Sequence, residues 1–188
     1  MSEPSKTSRQ KQSRNGRDKG AVKADVGDFQ PISIFKVSYK PRDLDRYVLA
    51  VSRATPIQRV EMERAGVPGA FIKDLAMRME MPSSRFFKII GLPKATAEKK
   101  VAMKQLVAGS SGHAALGVTR LIGVTQEILA TSTSKGAKGF DAAKWLGNWI
   151  ERPQPSLGGR RPAELLDTPT GLEVVNRLLG AIESGSYQ

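Results

Sequence analysis

Three groups of residues in this chain have the types and spacing that could do chemistry. Lys94, Thr96, Lys99 and Lys100 fall within one short stretch and offer charge and hydroxyl donors to phosphates and major-groove edges. Gly158-Gly159-Arg160-Arg161 places two turn-forming residues before two guanidiniums, inside RPQPSLGGRRPAELLDTPTG at residues 152–171. The third group is a loose set of acid–base candidates: His113, the only histidine, and the carboxylates Glu164, Asp167 and Glu173.

The third group does not assemble into a catalytic constellation. His113 begins a helical pattern among small residues, where a surface position explains it better than catalysis. Carboxylates near helix N-termini are expected from the helix dipole and from capping. The absence of cysteine excludes disulfides, thiolate zinc sites and a cysteine nucleophile, and one histidine leaves the usual zinc sites out of reach. The glycines of SLGGRRP lack the G-K-[ST] of a phosphate loop and follow no strand in the dinucleotide-binding manner. The expectation is a protein that is not an enzyme and carries neither cofactor nor metal.

Charge points the same way. The formal net charge is +12, yet residues 140–188 hold five basic against six acidic side chains, so the excess lies upstream. Such an imbalance predicts a front half that meets a polyanion, with nucleic acid rewarded most through counterion release, and a back half with another task. No apolar run approaches the roughly 20 residues of a membrane span, and the start lacks the apolar stretch of a signal peptide. The expected location is the cytoplasm, without a membrane partner.

These groups need elements to position them. Residues 1–27 carry seven Lys and Arg against three acids and almost nothing apolar, and read as a disordered basic arm. Residues 28–55 read as a linker or short extended segment, with Ile32, Ile34, Val37 and Tyr39 among polar neighbours. Thr55-Pro56 is a helix start and Gly66 its stop. Phe71, Ile72, Leu75 and Met79 then recur at helical spacing. Ser83 or Ser84 can cap a short helix bearing Phe86, Phe87, Ile89 and Ile90. Gly91 allows a turn, and Leu92-Pro93 leads into KATAEKKVAMK. Helix, turn and helix within about 20 residues is the layout of a DNA reader, the plainer alternative being a helical hairpin with a solvated lysine face. Ala97 stands where the second helix of a reader usually brings a bulky aliphatic.

Downstream, Ser110 or Ser111 can cap a helix with Val118, Leu121, Ile122, Ile128 and Leu129 on one face. Ala142, Trp145, Leu146, Trp149 and Ile150 form a complete apolar stripe. Thr168-Pro169 repeats the cap-then-proline start before Leu172, Val175, Leu178, Leu179 and Ile182. Between these last two helices, Pro155 and Pro162 stiffen the chain on either side of Gly158-Gly159. That arrangement serves a structural hinge, an interface, or both.

Residues 140–188 resemble the toxin-binding domain of the Xre/MbcA/ParS antitoxins, the partners of RES-domain toxins. The resemblance rests on Trp145-Leu146, Pro153-Gln154-Pro155, Leu157-Gly158-Gly159, Arg161-Pro162, Glu164-Leu165-Leu166 and Ile182-Glu183-Ser184-Gly185. Gln154 stands where asparagine is common. More loosely, residues 66–101 resemble the family's Xre-like helix-turn-helix, with Ala97 in place of the usual leucine. The resemblance implies an all-α fold: an Xre-like helix-turn-helix domain with its connecting helix over 56–135, then a small helical toxin-binding domain over 136–188. It implies a type II antitoxin that sterically inhibits an NAD-consuming RES toxin and represses its own operon, as a homodimer within a larger toxin–antitoxin complex. Toxin contacts then fall to Leu157, Gly158, Gly159, Arg160, Arg161, Pro162, Ser186, Tyr187 and Gln188, with the last residues at the toxin's cleft. Operator contacts fall to Lys94, Thr96, Lys99 and Lys100. The alternative is a free-standing helix-turn-helix regulator whose C-terminal domain only dimerises.

Overall fold

The computed structural model describes Met1, residues 39–131 and residues 140–183. The remainder of the basic arm, residues 28–38 and the tail residues Ser186, Tyr187 and Gln188 lie outside the described residues.

The fold is all-α apart from one small ladder. Its first helix, α1, spans Leu44–Arg53 and corrects the expectation of a linker or extended segment there. Tyr47, Val48, Ala50 and Val51 are buried on one face of it. Aromatic and β-branched residues are only moderate helix formers, so burial of this face, rather than local propensity, sets the helix. Tyr39 packs edge-on against Tyr47 and Phe71, and its hydroxyl donates to the Asp74 carboxylate at 2.8 Å. Burial first, and then that bond, push the Tyr39 phenol above its ordinary pKa.

Helix α2, Pro56–Ala65, begins with the expected cap. The Gln58 N–H donates to the Thr55 hydroxyl oxygen, and the Thr55 N–H donates to the Gln58 side chain at 2.8 Å, a reciprocal capping box. Gly66 ends α2 at φ +83°, and a Cβ there would lie 2.5 Å from the Val107 carbonyl oxygen. That close approach belongs to an antiparallel pair absent from the sequence expectations, β1 (Val67–Pro68) with β2 (Leu106–Val107).

The pair brackets three short helices: α3 (Gly69–Arg78), α4 (Ser83–Ile89) and α5 (Lys94–Ala102). Neither serine caps α4; Pro82 precedes it without a side-chain cap. Helix α6, Gly109–Thr131, starts at the glycine rather than after Ser110 or Ser111. Ser111 is buried instead and donates to the Gly91 carbonyl oxygen at 3.0 Å. At 23 residues α6 is about 35 Å long, and it packs against α1, α2, α7 (Ala142–Trp149) and α8 (Pro169–Glu183). Its two buried threonines satisfy their hydroxyls internally, Thr119 on Ala115 and Thr125 on Leu121.

One contiguous core runs from Tyr47 through Phe71, Phe86 and Ile122 to Leu146 and Leu179. The stretches expected as an upstream and a C-terminal domain therefore share that core, and the expected boundary at 135/136 lies outside the described residues.

Candidate functional site

The hinge between α7 and α8 is built by local hydrogen bonds. On α7, Ala142, Leu146 and Trp149 are buried with Ile150 just beyond it, and Trp145 stacks on Trp149 with centroids 5.7 Å apart. The Gln154 N–H then donates to the Arg160 carbonyl oxygen at 2.9 Å, and the Gly159 N–H returns to the Gln154 carbonyl oxygen at 3.0 Å. Between them lie a 3-10 turn, Pro155–Leu157, and two glycines at φ +63° and +80°. Those angles are costly for other residues, which explains the glycine pair. The Gln154 side chain is buried and donates to the Arg152 carbonyl oxygen at 3.1 Å, so this position serves the loop's interior.

A second 3-10 turn, Pro162–Glu164, reconnects to the core. The Ala163 N–H donates to the Ile150 carbonyl oxygen at 2.9 Å, and Leu166 is fully buried. Thr168 caps α8, its hydroxyl oxygen accepting from the Gly171 N–H at 3.0 Å.

Of the residues expected at the toxin, the loop brings Gly158, Gly159, Arg160 and Arg161 together on its exposed side. Leu157 is half-buried against the core, and Pro162 is buried, so its part is to hold the loop. Sequence reasoning missed Glu151. It takes two bonds from Arg85 on α4, at 2.6 Å and 2.8 Å, and lies 3.7 Å from Arg161. The Arg85 hydrogen bond is the main reason its carboxyl sits below the usual carboxylate range. One acid thus joins the hinge to the upstream helices across 66 residues of sequence, a spacing no local pattern reveals.

The upstream basic residues divide into two groups. Successive helical residues are about 100° apart, so Lys99 faces away from the buried Ala97 with Thr96 to one side, while Lys100 and Lys94 flank Ala97 on either side, Lys100 beside Gly69 of α3. Lys94 joins Lys73, Ser83 and Ser84 around a cleft of about 300 Å3 between α3, α4 and α5. Lys94 also pairs with Glu98 at 3.7 Å. Lys73 on α3 and Ser83 and Ser84 on α4 come beside Lys94 only through the packing of the three helices. A helix, turn and helix also occurs one step earlier, from α3 to α4. Its turn holds Glu80 at φ +51°, an uncommon conformation for a residue other than glycine.

Ala97 is 1% exposed, which accounts for its size. The start of α3 meets the α5 backbone so closely that a Cβ on Gly69 would lie 3.0 Å from the Val101 nitrogen.

His113 is half-buried, with Nδ1 3.2 Å from the Glu63 carboxylate. Glu164 and Asp167 line a cleft with Arg85, Lys88 and Arg161, and Glu173 pairs with Arg177. Among the described residues, no group of three or more His, Asp or Glu side chains is placed to hold a metal. Among them too, no helix is long and apolar enough to cross a membrane.

Residues 139–185 match the antitoxin Xre/MbcA/ParS C-terminal toxin-binding domain, which spans α7, the hinge and α8. A Prs ADP-ribosylating antitoxin of Sphingobium sp. (strain YBL2) is 33% identical over 138 residues, covering 73% of this chain and 86% of that protein. The similarity therefore extends well upstream of the matched domain. With the hinge residues in their ordered loop and a relative alike over most of both lengths, the chain belongs to the Xre/MbcA/ParS antitoxin family.

Proposed function

We propose that this protein is the antitoxin of a type II pair, holding an NAD-consuming RES-domain toxin inactive by steric occlusion. The observation that carries the reading is the hinge. Its closed hydrogen-bond pattern fixes Gly158, Gly159, Arg160 and Arg161 on one exposed edge between α7 and α8. A loop fixed before binding loses little entropy on association, and two exposed arginines give directed contacts to a partner's carboxylates. Tyr187 and Gln188, which follow α8 in the sequence, are the residues assigned to the toxin's cleft in this reading. The name of the Sphingobium relative joins an antitoxin to ADP-ribosylation, and ADP-ribosyl transfer draws its group from NAD. The chemistry belongs to the toxin, and the antitoxin acts without catalysis.

A second role is repression of its own operon, as a homodimer reading two half-sites. Thr96, Lys99 and Lys100 on α5, with Lys94, Lys73, Ser83 and Ser84 at the adjoining cleft, supply the phosphate and groove contacts.

The test is co-expression with the product of the adjacent reading frame, followed by pull-down and growth measurement. Deleting residues 152–188 is a poor variant, because it removes Leu166, Val175 and Leu179 from the core. Two milder changes serve: a stop after Glu183, and Arg160→Glu with Arg161→Glu. Rescue of growth by the full chain, lost in both variants while they remain folded, is the expected result. A stable complex with unimpaired rescue in both would refute inhibition through the hinge and tail.

A further inference from the structure

Away from the hinge and the basic face, a cavity of about 190 Å3 opens between α2, α6 and the first half of α8. Its floor is apolar: Met62, Leu116, Leu121 and Leu172 are each buried. The rim carries Arg59 and Arg120, together with His113, Glu63 and Glu173.

The acids on this rim are engaged elsewhere than with its arginines. Glu63 faces His113 Nδ1 at 3.2 Å, and Glu173 is held by Arg177 one turn along α8. Among the described residues, Arg59 and Arg120 have no carboxylate within ion-pair distance. The lining thus holds two arginines and two glutamates, and the glutamates are engaged by His113 and Arg177 rather than by Arg59 or Arg120. Burial, and then the charge of Arg59, push the Arg120 guanidinium below its ordinary pKa, with Glu63 acting the other way. Two guanidiniums that repel each other beside apolar surface are stabilised by an anion placed between them.

We propose that this cavity binds a small organic monoanion, its carboxylate between Arg59 and Arg120 and its apolar body against Met62, Leu116 and Leu172. The volume limits the body. It is below the roughly 300 Å3 at which drug-sized ligands are held, so the ligand is of fragment size, with one ring or a short branched chain. One carboxylate suffices to bridge the two arginines. The occupied site joins helices from both ends of the chain, and its ligand stabilises the fold by mass action. This inference does not rest on the antitoxin mechanism, and either can fail without the other.

Sodium benzoate serves as the probe, with benzyl alcohol as its neutral counterpart and acetate as the anion lacking a ring. Binding to the full chain is read by thermal unfolding and by the methyl signals of Leu116 and Leu172. Benzoate is expected to saturate and raise Tm, with the other two binding at least tenfold more weakly, about 1.4 kcal/mol. Arg120→Gln and Arg59→Gln are each expected to weaken benzoate at least tenfold. No saturable benzoate binding up to about 10 mM would overturn the proposal. Equal binding of benzyl alcohol, or benzoate affinity unchanged in both variants, would overturn it as well. Should a variant fail to fold, the comparison of benzoate with benzyl alcohol on the unaltered chain decides the question alone.

Discussion

Gly147 lies where α7 crosses the turn that follows α3, and replacing it with alanine tests that crossing directly. A Cβ at this position would sit 2.3 Å from the Met79 carbonyl oxygen and 3.1 Å from the Met79 Cβ. The oxygen is backbone and cannot rotate away. Its turn is held by the Met79 N–H on the Leu75 carbonyl oxygen and the Met81 N–H on the Ala76 carbonyl oxygen, and Met79 is buried. Relief therefore requires α7 to move as a unit. Overpacking of this kind costs about 1–3 kcal/mol, offset by about 1 kcal/mol of helix propensity gained in going from glycine to alanine. The net loss is up to about 2 kcal/mol, a fall in Tm of up to about 4–8 °C for a chain of this size.

Gly180 provides the internal control. It lies inside α8 with nothing within 4 Å of its would-be Cβ. The same substitution there should stabilise by about 0.5–1 kcal/mol, a rise of about 2 °C. Thermal unfolding followed by circular dichroism, with urea midpoints as a check, compares the two variants. Gly147→Ala as stable as Gly180→Ala would refute the packing of α7 on the α3–α4 turn.

Glu151→Gln leaves Arg85 without its carboxylate and should cost about 1.5 kcal/mol at neutral pH, read as a urea midpoint. Arg85 depresses the Glu151 carboxyl, so the pair's contribution is fully present above the unfolded value of about 4.3 and fades as pH falls through the lower folded value. The variant should thus lose less stability than the parent between neutral and strongly acidic pH; a parallel loss in both would show that the pair contributes nothing. Lys99→Glu with Lys100→Glu should weaken operator binding and reduce the slope of log K against log salt by about 2. Unchanged binding would move the reading surface to α4 and its serines. Lys73→Glu separates the cleft from the outer face of α5: a reduced salt slope places a phosphate at the cleft, and an unchanged one removes it from the proposed contact set.

Sequence alone was enough for features governed by neighbours a few residues apart. Thr55-Pro56, the stop at Gly66, the stripe on α7 and the Thr168-Pro169 start of α8 all stand where local signals put them. Caps, proline and glycine angles and the helical period act within one or two turns. The hinge was legible for the same reason, since its glycine pair and flanking prolines state their own backbone angles. Tertiary structure decided the rest. Helix α1 forms because Tyr47, Val48, Ala50 and Val51 have a core to meet. Ala97 is small because α3 and α5 approach closely, and Ser111 is a buried donor rather than a cap because the Gly91 carbonyl lies opposite it. The β1–β2 ladder, the Arg85–Glu151 pair and the cavity between α2, α6 and α8 join residues tens of positions apart. Such contacts carry no period and no cap, so only the folded chain brings them together.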